Sequence, residues 1–423
     1  MTRERLISLD VFRGLTILLM TIVNNPGDWG NVYPPLLHAH WHGCTPTDLV
    51  FPFFIFIMGV AIPLAMPDKK YDSTTFSKIL VRSLRMLCLG IFFNYFSKIQ
   101  LFGLDSIPLL IVRMLITIAV GYALMGSFSS RIKNILAFSI LFVYLFLAYS
   151  GIEAYHDVRL PGVLQRIAVV YFVASLLYLK TTQKTQIIVG SVLLLGYWAI
   201  MTLVPVPGIG PANLEPGTNL AAWVDSVFLK GHMYSGTVTW DPEGILSTIP
   251  SIVNGIIGLL IGQLLQREIT KKQKASKMAI AGVALIIAGL LWNIVFPINK
   301  SLWTSSYVLY TTGLATACLA LLYYIIDIAN YQKGFKLFLI WGVNPMIVFF
   351  FSQIIPQALV MIPVTNPDNA LEKTNLLDYL YRFGIAPFFS NPMTASLAGA
   401  LVYVAIWTFI LWIFYRNKLI FKV

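Results

Sequence analysis

His38-Ala-His-Trp-His-Gly-Cys-Thr-Pro-Thr-Asp48-Leu-Val-Phe-Pro52-Phe-Phe-Ile-Phe-Ile-Met-Gly59 passes directly from titratable residues into an apolar run. Thr45, Pro46 and Asp48 read as the N-cap, first and third positions of a helix. Beyond Asp48 the helix is apolar on every face, which signifies burial in lipid or protein. Ionisable side chains at the mouth of such a helix are costly to hold and point to a task.

The same apolar character recurs along the chain. Of 423 residues, 57% are hydrophobic and 11% charged, against about 25% charged in soluble domains. Twelve runs approach the roughly 20 residues that cross a bilayer: 7–24, 48–66, 79–96, 108–127, 134–150, 161–179, 185–204, 244–265, 278–296, 303–326, 337–359 and 394–415. The expected fold is an all-α polytopic membrane protein of about 12 spans (10–12), a single transmembrane domain over 1–423. No cleavable signal peptide is expected, since the first run ends in Asn24-Asn25-Pro26 without a small-residue cleavage site.

With the N-terminus in the cytoplasm, 22 of the 30 Lys and Arg fall on the cytoplasmic side, six outside and two (Arg113, Arg166) within spans. That bias puts both termini inside. It accounts for the +12 net charge without a nucleic-acid partner. All five histidines fall on the other side, with most of the acids. Two long loops lie there as well. Residues 205–243, rich in Pro, Gly and Trp, and 360–393, with a short helix near 375–383, read as lids.

Each candidate site residue has a plain and a sharper reading. Asp10 and Arg13 share a helix face and form a structural pair, or Arg13 meets an anionic ligand from the cytoplasm. Asn24 stops a helix or donates to a reacting carbonyl. Asp48 caps a helix and can also orient a histidine. His38, His40 and His42 alternate, so an extended segment puts all three on one face. They suit a metal, a general base, or plain interfacial exposure. Arg166 must pair, snorkel or line a polar cavity. Asp241 and Glu243, beside Trp240, open a helix favourably and also suit binding of a sugar or amine. Asn344-Pro345 breaks a helix, so Asn344 must face protein or a cavity.

Seven stretches, in order, carry a family resemblance: Ser8-Leu-Asp-Val-Phe-Arg-Gly14, His38-Ala-His-Trp-His-Gly43, Asp48 to Gly59, Leu160-Pro-Gly-Val-Leu-Gln-Arg166, Asp241-Pro-Glu-Gly-Ile-Leu-Ser-Thr248, Phe296-Pro-Ile-Asn-Lys-Ser-Leu-Trp303 and Gly342-Val-Asn344. The chain resembles the heparan-α-glucosaminide N-acetyltransferase family and its bacterial transmembrane acyltransferase relatives. The resemblance implies an acetyl-CoA-dependent acyltransferase of glycan metabolism. It would move an acetyl group from cytoplasmic acetyl-CoA to an amino-sugar or glycan acceptor across the plasma (inner) membrane, with no resident metal. It implies His38 as catalytic base or acetyl carrier, with Asn24 and Asp48 catalytic, and Arg13 and Arg166 toward the cofactor. Trp41, Asp241, Glu243 and Asn344 fall to the substrate. A homodimer is a further expectation.

The family has Ser and Asn where His40 and His42 stand. Two spans (108–150) look inserted, and a luminal domain and an additional first span look missing. The alternative is a secondary transporter or exporter of an envelope sugar or lipid intermediate, which twelve spans and broken helices also suit.

Overall fold

The structure, a computed structural model, describes residues 6–101, 103–367 and 369–421. Arg3, Arg5 and Lys422, counted above on the cytoplasmic side, lie outside them. In order the α-helices are α1 (Ile7–Asn24), α2 (Val50–Ala65), α3 (Ser73–Phe96), α4 (Ser106–Met125), α5 (Ser130–Tyr149), α6 (Val163–Lys180), α7 (Gln183–Leu203), α8 (Leu220–Phe228), α9 (Ile245–Gln266), α10 (Lys271–Trp292), α11 (Ser305–Tyr323), α12 (Lys336–Val343), α13 (Pro345–Val360), α14 (Leu376–Gly384) and α15 (Pro392–Arg416). The chain is an all-α polytopic membrane protein. Among the described residues ten helices are long and apolar enough to cross a membrane, and α12 with α13, bent by 70°, makes an eleventh if the bent pair is one span. The remaining expected span, 79–96, lies in α3, a 24-residue helix that is not one of these.

The bundle has a centre and a rim. The apolar windows of α1, α2, α6 and α9 are 61% buried, against 17% for α5 and 22% for α10 and α15. The inner helices meet backbone to backbone. A Cβ on Gly258 of α9 would stand 2.3 Å from the Phe56 carbonyl oxygen of α2, and one on Gly262 would stand 2.4 Å from that of Val60. Small residues at such spacing let helices approach closely where water supplies no hydrophobic drive. Gly14 of α1 and Gly342 of α12 cross in the same way, Gly342 lying against the Asp10 carbonyl.

Loop contacts define two faces. On the basic face, Lys69 Nζ donates to the Thr181 carbonyl, Arg267 Nη2 to Gln183 and Lys271 Nζ to the Asp327 carbonyl. On the histidine face, the 205–243 loop is tied down by short contacts. Asp225 of α8 accepts from the Ile245 and Asp241 amides, and His232 is buried on the Val158 carbonyl at 2.8 Å. The loop expected as a lid is thus an ordered part of that face. In 360–393 the expected short helix is present as α14, preceded by an antiparallel hairpin, β1 (Pro363–Asn366) with β2 (Asn369–Asn375). The sequence reading had no strand there; pairing with its neighbour satisfies the backbone of a segment that has no helix period.

Candidate functional site

The polar segment before α2 folds onto its own helix start. Pro46–Leu49 forms one turn of 3₁₀ helix with a capping box between Thr45 and Asp48, as the Thr-Pro-Thr-Asp order predicts. The carboxylate does more than cap. Asp48 Oδ2 accepts from the Thr45 amide (2.9 Å), Thr45 Oγ1 (3.0 Å) and the Ala39 amide (3.0 Å). Oδ1 lies 2.7 Å from His38 Nδ1. Its backbone carbonyl receives the Tyr307 hydroxyl of α11 at 2.6 Å.

A carboxylate that accepts from three other donors is acting as an acceptor throughout, so the fourth contact fixes the imidazole proton on Nδ1 of neutral His38. Nε2 then keeps its lone pair. The Asp48 side chain is 1% exposed and that of His38 53%. The pair is anchored inside by the buried carboxylate, and the imidazole is half-exposed.

Lys300, on the loop between α10 and α11, closes the arrangement. Its Nζ lies 3.0 Å from His38 Nε2, 3.1 Å from Nδ1 and 3.8 Å from Asp48 Oδ1. Burial lowers the pKa of this ammonium, and Glu243 and Asp48 oppose that effect. Asn299 beside it reaches His42 Nδ1 at 3.4 Å, and the Gly43 amide donates to the Ile298 carbonyl. The loop and the histidine segment are therefore held together immediately before Lys300. Burial first, then Asp48, pushes the Cys44 thiol up to about 12, which leaves it no role as a thiolate nucleophile.

A second layer sits beside it. Arg159 forms a two-pronged pair with Asp241 (2.8 and 2.6 Å) and also binds Glu243. Burial alone would raise the Glu243 carboxyl; Arg159, then Arg166 and Lys300, outweigh it and hold it below its ordinary range. Arg166, in the first turn of α6, donates to the Pro242 carbonyl at 3.0 Å and to Ser247. Its guanidinium stacks 4.8 Å from the Trp303 ring centre. Its Nε and Nη1 are buried with no hydrogen-bond partner among the described residues.

The predicted residues divide accordingly. His38 and Asp48 meet directly. Trp41 is beside them, its indole N–H on the Leu214 carbonyl at 3.0 Å and its ring edge-on to Trp240. Asp241 and Glu243 are on the same face, already paired with Arg159. Asn24 ends α1 exposed, its side chain with no hydrogen-bond partner among the described residues. Arg13 lies in the half of α1 toward the basic face, 2.9 Å from Asp10 and 3.5 Å from the Gly342 carbonyl. Arg166 starts a helix on the histidine face, so the two arginines assigned to a cofactor lie toward opposite faces. Asn344 sits at the α12–α13 break. Its amide donates to the Leu419 carbonyl and accepts from the Phe421 amide, both at 2.9 Å, so it binds the C-terminal segment.

The alternating histidines do not converge. His40 is exposed, His42 faces Asn299, and among the described residues no three His, Cys, Asp or Glu are grouped to hold a metal. The sequence reading missed Lys300, Asn299 and Arg159. Lys300 and Arg159 were legible as two of the few cations on the acid-rich side.

These features define a polytopic membrane protein with a His–Asp pair, backed by a lysine, on the face opposite its basic loops. Comparison with known proteins points the same way. A family described as a domain of unknown function (DUF5009) matches residues 5–197. The heparan-alpha-glucosaminide N-acetyltransferases of Homo sapiens and Mus musculus are each 26% identical to the chain across 99% of its length. The chain spans 60% and 61%, respectively, of the length of these two relatives. It is thus a distant, full-length relative of their aligned regions.

Proposed function

We propose that the chain is a transmembrane N-acetyltransferase that uses cytoplasmic acetyl-CoA and an amine of an amino sugar on the far side of a plasma membrane. The observation that carries this reading is the His38–Asp48 pair, whose Nε2 lies 3.0 Å from the Lys300 ammonium on a half-exposed imidazole. The similarity to two proteins named as N-acetyltransferases supports it. The concentration of cations on the opposite face suits a polyphosphate donor.

The chemistry follows from the geometry. The amine nitrogen attacks the thioester carbonyl carbon, and the C=O electron pair moves to oxygen. The Lys300 ammonium, within hydrogen-bond length of Nε2, is the nearest donor for that oxyanion. His38 Nε2 takes the proton the nitrogen must lose, and Asp48 stabilises the resulting imidazolium. Collapse breaks the C–S bond, and the proton passes to the departing thiolate to give free CoA and the amide. A two-step route, with Nε2 itself acetylated first, uses the same atoms. Asp241 and Glu243, engaged by Arg159, shape the rim; an ammonium would have to compete with a guanidinium for them.

The test is acetyl transfer by purified chain in liposomes with acetyl-labelled CoA and glucosamine. N-acetylated product from the wild type and none from His38→Ala supports the reading. Label kept on the protein without acceptor marks the two-step route. Folded wild-type protein that releases no CoA with any amine refutes the enzyme and favours transport.

A further inference from the structure

On the basic face, α3 and α5 flank an open pocket of about 520 Å³, a size that accommodates a small organic ligand. Lys78, Arg82 and Arg85 line it from one stripe of α3, and Lys133 lines it from the first turn of α5. Ser77 and Asn134 bridge the two helices, Asn134 Nδ2 donating to Ser77 Oγ at 3.3 Å. No Asp or Glu is among the residues lining it. The α3 and α5 N-termini both open at this cavity, so their dipoles add to the positive field.

A cytoplasmic excess of cations explains exposed lysines and arginines. It does not explain Arg85. This side chain is buried, at 5% relative exposure, two turns deeper than Lys78 and three turns into α3. Its Nε donates to the Leu124 carbonyl at 2.5 Å, while Nη2 is buried with no partner among the described residues. A buried guanidinium with an unused donor, at the base of a polar cavity and ringed by three more cations, lacks its counter-ion.

We propose that this cavity is a binding site for a phosphate-bearing anion that enters from the basic face, its phosphate oxygens meeting Arg85 Nη2, Arg82 and Lys133. Phosphate presents several acceptors to such a cluster, and arginine meets them in a planar fork. The headgroup of an anionic phospholipid and the phosphates of a soluble cofactor such as CoA offer the same chemistry. A lipid headgroup bound here would be independent of acetyl transfer, whereas CoA bound here would rest on the proposed use of acetyl-CoA from this face.

The experiment uses the full chain in a neutral detergent. Native mass spectrometry measures retention of phosphatidylglycerol against phosphatidylcholine, and equilibrium dialysis measures binding of CoA against adenosine. Two variants are compared, Arg85→Gln and the exposed-side triple variant K78Q/R82Q/K133Q, each checked for a wild-type elution profile. The triple variant removes three lining cations that are exposed or half-exposed and keeps the test decisive if Arg85→Gln does not fold. Phosphate-dependent binding by the wild type, weakened at least tenfold in the triple variant, supports the site. Loss in the lipid arm identifies a lipid headgroup, and loss in the CoA arm a soluble ligand. Wild-type protein that prefers neither phosphate ligand, or a triple variant that binds within threefold of the wild type in both arms, overturns it.

Discussion

Replacing Asp48 with Asn removes one formal charge and keeps the shape, and the surrounding bonds dictate the outcome. The carboxylate accepts from His38 Nδ1 and from three donors in the Ala39–Thr45 turn at 2.7–3.0 Å. An amide cannot accept on both sides. If its NH₂ faces the Ala39 and Thr45 amides, two part-buried N–H groups lose their acceptor, at up to about 1–3 kcal/mol each. If it faces His38, the turn is kept and one charge-assisted bond becomes a neutral one, a smaller loss. The second arrangement wins on that comparison. It forces Nδ1 to accept, so the neutral imidazole must carry its proton on Nε2, the nitrogen next to Lys300. The variant should therefore fold, with a stability loss on the order of 1–3 kcal/mol, and lose its base. General-base catalysis contributes about 10²–10⁴-fold, so kcat/KM for CoA release with an amine acceptor should fall by about that factor while binding of acetyl-CoA is retained. The assay is thiol release in liposomes, with equilibrium binding in parallel. A D48N variant within tenfold of wild type, alongside an inactive His38→Ala, would refute the assigned tautomer and with it Asp48 as the residue that positions His38.

Three other perturbations separate the layers of the site. Lys300→Gln should lower kcat more than it raises KM for the acceptor, because the ammonium sits where charge develops during the reaction; steady-state kinetics with both substrates varied decides it. Arg159→Gln leaves Asp241 and Glu243 without the guanidinium that neutralises them, and breaking such a pair costs about 3–5 kcal/mol; this should appear as increased proteolysis of the 205–243 loop. Asp225, driven up to about 6 by burial against its ordinary 3.8, binds its proton more tightly folded than unfolded. Its stabilising contribution is thus fullest below pH 3.8 and declines as pH rises toward 6, by on the order of 3 kcal/mol. The difference in thermal stability between wild type and Asp225→Asn, measured from pH 4 to 7, should carry that slope, and a flat difference would contradict it.

The sequence carried the fold and half of the site, and the division has a physical origin. Helical spans are local: twenty apolar residues must satisfy their own backbone in lipid, so composition locates them one at a time. The His38–Asp48 pair is almost as local. Ten residues separate the two, and Pro46 and the Thr45 cap turn the chain back so that the carboxylate returns to the histidine. Lys300 is 262 residues from His38, and no periodicity links them. The packing of α11 against α2, with the Tyr307 hydroxyl on the Asp48 carbonyl, and the contacts of Ile298 and Asn299 with Gly43 and His42 set the loop in place. Asn344 illustrates the converse. Its helix break was legible, because Pro345 removes a hydrogen bond wherever it stands, but the partner that fills the break comes from the C-terminal segment and bears no mark of it in sequence. Residues read as catalytic from type alone are therefore safest where chain-local capping fixes their geometry. A lone cation on the acid-rich face is the signal to examine next, since the positive bias toward the opposite face leaves it without a topological reason to be there.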